Sequence, residues 1–450
     1  MLLQQPRKEL TVCLAPYSTS KFFRREAIAD CYYVRHYRQI VQPLAANHAG
    51  LQQLKMLNFL VGQWWLTTEF SWCQQPQQKQ LKSATFIDCT FTVTLASVAD
   101  HLRGVTRLEL INCDLLDADI RTIGETIGSG VLEHLNVSFN GQLTGAHIEA
   151  LGTPLRSLNL GHCHRLDDFR LCYGLQALLY KGVHLEVLNL KPLNPNGALH
   201  LVTSFVVGSL DHLQELKLNP NFHLFAAEQR NVVAAGQPPS SASSSSSSSS
   251  VPGLAATMRK LTLLGRCEPP PAPVNGNDRR RQAGPALSAD HYLRWFFTGK
   301  ASASSSSPSF SATPAFAQLQ YLSLTDWPEK WTSDEGLAAV FSACPNLLHL
   351  KLVGLPFATD RSLDLLPRLM TRLRTVKFVD VSLSDRLVVT LLERCSALRT
   401  LVIDFPDGGQ AQPYHLSEAV IHEAVALCSR CPARRLTVRI SMTGGGHLRR

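Results

Sequence analysis

One phrase constrains this chain more than any other feature: an apolar residue, two of any kind, a second apolar residue, one of any kind, and a third apolar residue. It occurs as Leu51/Leu54/Met56, Leu81/Ala84/Phe86, Val105/Leu108/Leu110, Leu132/Leu135/Val137, Leu155/Leu158/Leu160, Leu185/Leu188/Leu190 and Leu213/Leu216/Leu218. It resumes as Met258/Leu261/Leu263, Leu319/Leu322/Leu324, Leu347/Leu350/Leu352, Leu373/Val376/Phe378 and Leu398/Leu401/Ile403, and ends on Ala433/Leu436/Val438. Alternate apolar residues at its end spell a short strand with one face turned inward. A Cys or Asn often follows three positions later, as Cys89, Cys113, Asn140 and Cys163 do. At a chain reversal such a side chain bonds the backbone of neighbouring turns, or fills a small buried space.

Between these strands the apolar period becomes helical, over Asp117–Ile127, Asp334–Ser342, Asp360–Met370, Ser384–Arg394 and Ser417–Ser429. Capping residues open several of them, for example Ser333 and Asp360. The unit is therefore strand, turn, helix, loop. Its spacing of roughly 23 to 30 residues is that of a leucine-rich repeat. Helices are wider than strands, so stacked units are expected to bend into a horseshoe: an α/β solenoid with a parallel sheet on the concave face and helices on the convex face.

The chain has 450 residues and a net charge of +9. Its mean hydropathy is near zero. The charge is thinly spread, so nucleic acid is an unlikely partner, and RNA binding stays a third reading behind two protein-binding ones. Neither an apolar leader core nor a stretch long enough to span a bilayer stands in the sequence, which points to the cytoplasm or nucleus and to no membrane role. The twelve cysteines are expected as thiols. Cys428 and Cys431 form the lone CxxC and lack a second pair to complete a zinc site. His162-Cys163-His164 has the look of a ligand cluster, but Cys163 falls on the buried repeat position. No phosphate loop, HExxH or GxSxG occurs, and His422-Glu423 lacks a second His at the needed spacing. We therefore expect no enzyme activity, no catalytic residue, no cofactor and no resident metal.

The junctions Cys344-Pro345-Asn346-Leu347, Cys395-Ser396-Ala397-Leu398 and Cys431-Pro432-Ala433, with the strand-and-turn run Leu158–Asp168, resemble the cysteine-containing leucine-rich repeats of F-box/leucine-rich-repeat proteins. The resemblance covers most of residues 51–440. Residues 1–48 do not fit the repeat. They read as amphipathic helices, and Tyr33-Val34-Arg35-His36-Tyr37-Arg38-Gln39-Ile40 resembles the last helix of an F-box, with Tyr37 where the box usually has Trp and without its opening Leu-Pro. The resemblance implies docking to a Skp-type adaptor and a cullin, with Leu10, Leu14, Ile28 and Tyr37 as apolar contacts. The alternative is a helical cap on the open end of the solenoid.

The domain plan is thus a helical F-box-like or capping segment at 1–48 and a solenoid over 49–450. Ser- and Pro-rich insertions at about 226–256 and 268–316 interrupt the solenoid and are expected to be disordered, with a short helix, Ala289–Phe297, inside the second. The open face of the strands would carry Glu109, Asn136, Asn159, Asn189, Lys217, Thr262, Ser323, Lys351 and Lys377, and a protein partner is expected there. The three lysines point weakly to an acidic or phosphorylated target. The first function reading is the substrate-recognition subunit of a cullin–RING ubiquitin ligase; the second is a scaffold or assembly subunit outside any ligase.

Overall fold

In the computed structural model, described residues are 9–13, 53–57, 60–61, 81–91, 94–128, 130–191, 202, 206, 209–218, 254–265, 293–294, 296–297, 316–327, 333–355, 358–405 and 436–442, with isolated positions between 416 and 426. The chain divides into two compact units, Met1–Gly197 and Ala198–Arg450.

The sheet of unit 1 is built from β1 (Glu9–Cys13), β2 (Gln53–Leu57), β3 (Ser83–Ile87), β4 (Arg107–Ile111), β5 (His134–Asn136), β6 (Ser157–Asn159) and β7 (Val187–Asn189). Each pairs with the next, always parallel. A repeat produces this order because each strand must return to the same edge after its helix, so every crossover has the same sense. The helical side carries α1 (Leu95–Leu102), α2 (Asp117–Thr122) running into a π-turn at Ile123–Ile127, a 3₁₀ turn at Ile148–Ala150, and α3 (Asp168–Tyr180).

In unit 2 the strands are β8 (Glu215–Leu218), β9 (Lys260–Leu264), β10 (Tyr321–Thr325), β11 (His349–Leu355), β12 (Thr375–Val381), β13 (Thr400–Phe405) and β14 (Thr437–Met442), again parallel and in sequence order. Its helices are α4 (Leu254–Thr257), α5 (Asp334–Ala343), α6 (Asp360–Leu363), α7 (Leu366–Leu369) and α8 (Asp385–Arg394). Ser333, Thr359 and Ser384 cap α5, α6 and α8 through their hydroxyls. The cap of the Asp360 helix is thus Thr359, one residue earlier than the sequence indicates.

The phrase positions form the core. Leu108, Leu135, Leu158, Leu188, Leu216, Leu261, Leu322, Leu350, Val376 and Leu401 sit at equivalent places and are all buried. This is a leucine-rich-repeat α/β fold: one repeat cannot cover its own apolar side, and stacking does it for each in turn.

Three expectations change. Glu9–Cys13, which contains Leu10, is a strand paired with Gln53–Leu57, not the opening of a helix. The alternation Leu10-Thr11-Val12 favours an extended backbone, and a ready sheet edge completes it. Leu14, Ile28 and Tyr37 lie outside the described residues, as do Cys428, Cys431, most of 226–256 and most of 268–316. At the expected Ala289–Phe297 helix, placed from sequence inside the second insertion, the described residues include core positions. Its described positions Leu293, Phe296 and Phe297 are buried, and both phenylalanine rings pack on Phe316, at 5.7 and 5.0 Å. Last, the C-terminal part of the first insertion, from Leu254, is already the helix α4.

Candidate functional site: the open face of the strands

Strand pairing places the predicted surface residues in register. In unit 1 the row runs Thr11, Lys55, Thr85, Glu109, Asn136, Asn159, Asn189. In unit 2 it runs Lys217, Thr262, Ser323, Lys351, Lys377, Val402, Arg439. Sequence alternation alone brings each set onto one line, because a parallel ladder without slips keeps equivalent positions about 4.8 Å apart.

The three asparagines share one geometry. Asn136, Asn159 and Asn189 each accept, through the carboxamide oxygen, the backbone N–H two residues on, from Ser138 (3.1 Å), Gly161 (2.9 Å) and Lys191 (3.2 Å). Asn is suited to this place because its oxygen closes an Asx turn as the strand ends. The oxygen is thus engaged, and the amide nitrogens have no hydrogen bond among the described residues.

The turn that follows is held by the Cys or Asn of the phrase. Asn140 is fully buried; its oxygen accepts from the backbone N–H groups of Cys113 (2.9 Å) and Leu115 (3.1 Å), and its nitrogen donates to the carbonyls of Leu110 (2.7 Å) and Val137 (2.8 Å). The Cys113 thiol donates to Phe86 O at 3.5 Å and the Cys163 thiol to Val137 O at 3.4 Å, each a carbonyl of the preceding repeat. Burial raises both thiols, Cys163 to about 11 and Cys113 further, so they stay protonated and act as packing groups.

One residue before each of these positions the backbone is left-handed: Asp88, Asn112, Phe139 and His162 have φ between 53° and 64°. The reason is reach. Their N–H groups bond carbonyls of the next repeat, at Ile111, Ser138, Gly161 and Lys191. Phe139 is an unusual occupant of this region. Its ring, half exposed, stacks on His162 with centroids 4.1 Å apart. This arrangement occupies His162, and burial, with Lys191 and His164 as lesser causes, holds its imidazole below the usual value. Among the described residues no group of three or more His, Cys, Asp or Glu is placed to hold a metal ion.

In unit 2 the face is charged but largely self-compensated. Glu215 receives Lys217 at 3.1 Å and Lys260 at 3.2 Å. Burial alone would raise its carboxyl; the two ammonium groups outweigh that and hold it below the usual range. Lys377 pairs with Asp404 at 2.7 Å. Lys217 and Lys377 thus already have carboxylates beside them, and Lys351 is left without one among the described residues. Ser323 is the one expected surface residue that the structure corrects. It is 2% exposed, so it offers no contact surface. In unit 1, Glu109 is likewise paired, with Arg107 at 2.7 Å.

No family model matches the chain. No curated protein matches it. Solved structures do. A leucine-rich-repeat-containing protein, LegL7, from Legionella pneumophila is 16% identical with a TM-score of 0.37; the match covers 74% of this chain and 94% of that one. The Rad7 and Elc1 complex in yeast is 15% identical with a TM-score of 0.36, covering 74% and 82%. A TLR13–ssRNA13 complex is 13% identical with a TM-score of 0.31, covering 88% and 57%.

Proposed function

We propose that this chain is a non-catalytic scaffold that binds another protein on the open face of its parallel strands, in the cytoplasm or nucleus. The supporting observation is the register: Asn136, Asn159 and Asn189 in unit 1, and Thr262 and Lys351 in unit 2, stand in line on rigid strands with polar groups that their own repeats leave unspent. A preorganised row of this kind loses little side-chain freedom on binding. No helix among the described residues is long and apolar enough to cross a membrane.

The finer reading is that of a substrate-recognition subunit of a cullin–RING ubiquitin ligase. It rests on the F-box resemblance of Tyr33–Ile40, outside the described residues. The strand at Glu9–Cys13 favours the plainer scaffold, since Leu10 is built into the sheet instead of an adaptor-binding helix.

Affinity purification of the full chain separates the two. A partner that is lost from both Asn159→Arg and Lys351→Glu, with the chain still folded, supports binding on the strand face; retention by both variants would refute it. Recovery of a Skp-type adaptor and a cullin, abolished by Leu14→Asp and Tyr37→Asp, would establish the ligase reading. Partner recovery without either component would leave the scaffold alone.

A further inference from the structure

The outer face of α3 differs from every comparable helix described. On α2 and the π-turn that follows it, that side presents Arg121 and Glu125; on α8 it presents Arg386, Glu393 and Arg394. On α3 it presents Phe169, Tyr173 and Tyr180, which are 70%, 62% and 82% exposed. At about 100° per residue these three fall within a sector of roughly 40°, and they span about 16 Å of helix axis. The inner side of the same helix is filled normally by Leu171, Leu175 and Leu178, so the aromatic side chains are not displaced core.

The charges around the stripe are also distinctive. Elsewhere in unit 1, Arg103, Arg107, Arg121 and Arg156 each pair with a carboxylate. Beside the stripe, the cations are fixed by neutral acceptors: Arg165 by the Gln142 side chain, Arg170 by the Thr144 hydroxyl, Lys181 by the main-chain carbonyl of Glu149. The carboxylate of Asp167 is used in capping α3, and Glu149 sits 3.6 Å from His147. Arg170 and Lys181 stand on one flank of the stripe, near its two ends, with no ion pair among the described residues.

We propose that this face of α3 docks an amphipathic helix of a partner protein, one with an apolar seam and acidic residues along one side. Ring positions at i, i+4 and i+11 along a straight axis are the anchor pattern of helix-against-helix recognition. Fixed, uncompensated cations on a single flank set both the sign and the side of the partner's charge. A second copy of the chain does not fit. Antiparallel pairing of two α3 helices would bring Arg170 next to Lys181 of the other copy, and the three rings expose roughly 400 Å², about half of what each side of a stable dimer buries.

The test displays a library of random peptides of roughly 16 residues, long enough as helices to cover the stripe, to the full chain and to two variants. One is the double change Phe169→Ser with Tyr173→Ser; the other is Arg170→Glu with Lys181→Glu. All these side chains are on the surface, and thermal unfolding checks that each variant keeps its fold. The expected result is enrichment of peptides with apolar residues at i, i+3 or i+4, and i+7 and an excess of Asp and Glu. Their affinity falls about tenfold or more on the first variant and about three- to tenfold on the second. Equal enrichment on wild type and on the Ser variant overturns the proposal, as does enrichment of basic peptides. So does sedimentation of the wild type, and not the Ser variant, with phosphatidylcholine–phosphatidylserine vesicles when no peptide is enriched.

Discussion

The two units end their strands in different ways. In unit 1, β5, β6 and β7 are three residues long, and after β5 the buried side chain of Asn140 takes over from the ladder. Asn140 binds two backbone N–H groups of one turn and carbonyls of two, so the main chain of neighbouring repeats is joined through a side chain. In unit 2, β11 and β12 extend to seven residues, and the buried Leu355 and Val381 close the end with apolar surface. There the buried cysteines, Cys344 and Cys395, have moved to the helix C-termini. The strand end is thus fastened by directed hydrogen bonds at Asn140 and by undirected packing at Leu355 and Val381. The first tolerates little change of chemistry, the second little change of volume.

The largest effect should come from a swap that keeps size but removes polarity. Asn140→Leu orphans two buried backbone donors and is expected to cost about 3 kcal/mol in denaturant unfolding. The matching swap in unit 2, Leu355→Met, keeps the volume and should cost under about 1.5 kcal/mol; if the two were equal, the distinction between fastenings would fail. Next in size is a pair of cysteine changes. Cys344 is fully buried and its thiol has no hydrogen bond among the described residues, so Cys344→Ser should cost about 2 kcal/mol. Cys163→Ser should cost under about 1 kcal/mol, because the Val137 carbonyl can accept from the new hydroxyl. Thermal melts of the two variants measure the difference. Phe139→Gly is expected to be neutral to within about 0.5 kcal/mol, since release from the left-handed region offsets the lost stacking on His162.

The smallest expected effect is of pH and touches both units alike. His162 is held below its ordinary value first by burial, His349 first by burial and then by Arg374. Below the ordinary value of 6.5 the unfolded chain takes up protons that the folded chain resists. Stability should therefore decline as pH falls from 7.5 to 5.5, and the decline should be shallower when His162 and His349 are both Gln.

Much of the fold was legible because a repeated unit states its pattern many times. Leu158 and Leu350 announce their burial through the same three-residue signature, and Ser333 and Ser384 mark helix starts by local chemistry alone. The row Asn136–Asn159–Asn189 could be found by alternation. What alternation omits is the neighbour. That Lys377 is compensated depends on Asp404, on the next strand of the sheet, and that Ser323 is covered depends on tertiary packing. The strand at Glu9–Cys13 was misread because a short Leu-Thr-Val alternation among helical-looking segments decides its state only when a sheet edge is at hand. The aromatic stripe of α3 did carry a signal, the spacing of Phe169, Tyr173 and Tyr180. Periodicity cannot say which side of an amphipathic helix faces solvent when both sides are apolar.

The engaged oxygens of Asn136, Asn159 and Asn189 give the first unit a way to refuse partners. An asparagine with both ends free can turn its amide to suit either a hydrogen-bond donor or an acceptor. Here the backbone has fixed the orientation of the amide: each oxygen spends one lone pair on its own turn, and the N–H groups remain to be donated. A visitor that brings carbonyls or carboxylates is matched by these donors, whereas one that brings N–H groups finds only the second lone pair of oxygens already in use. Selectivity then comes as much from mismatch as from attraction, and it is encoded by a turn motif rather than by net charge.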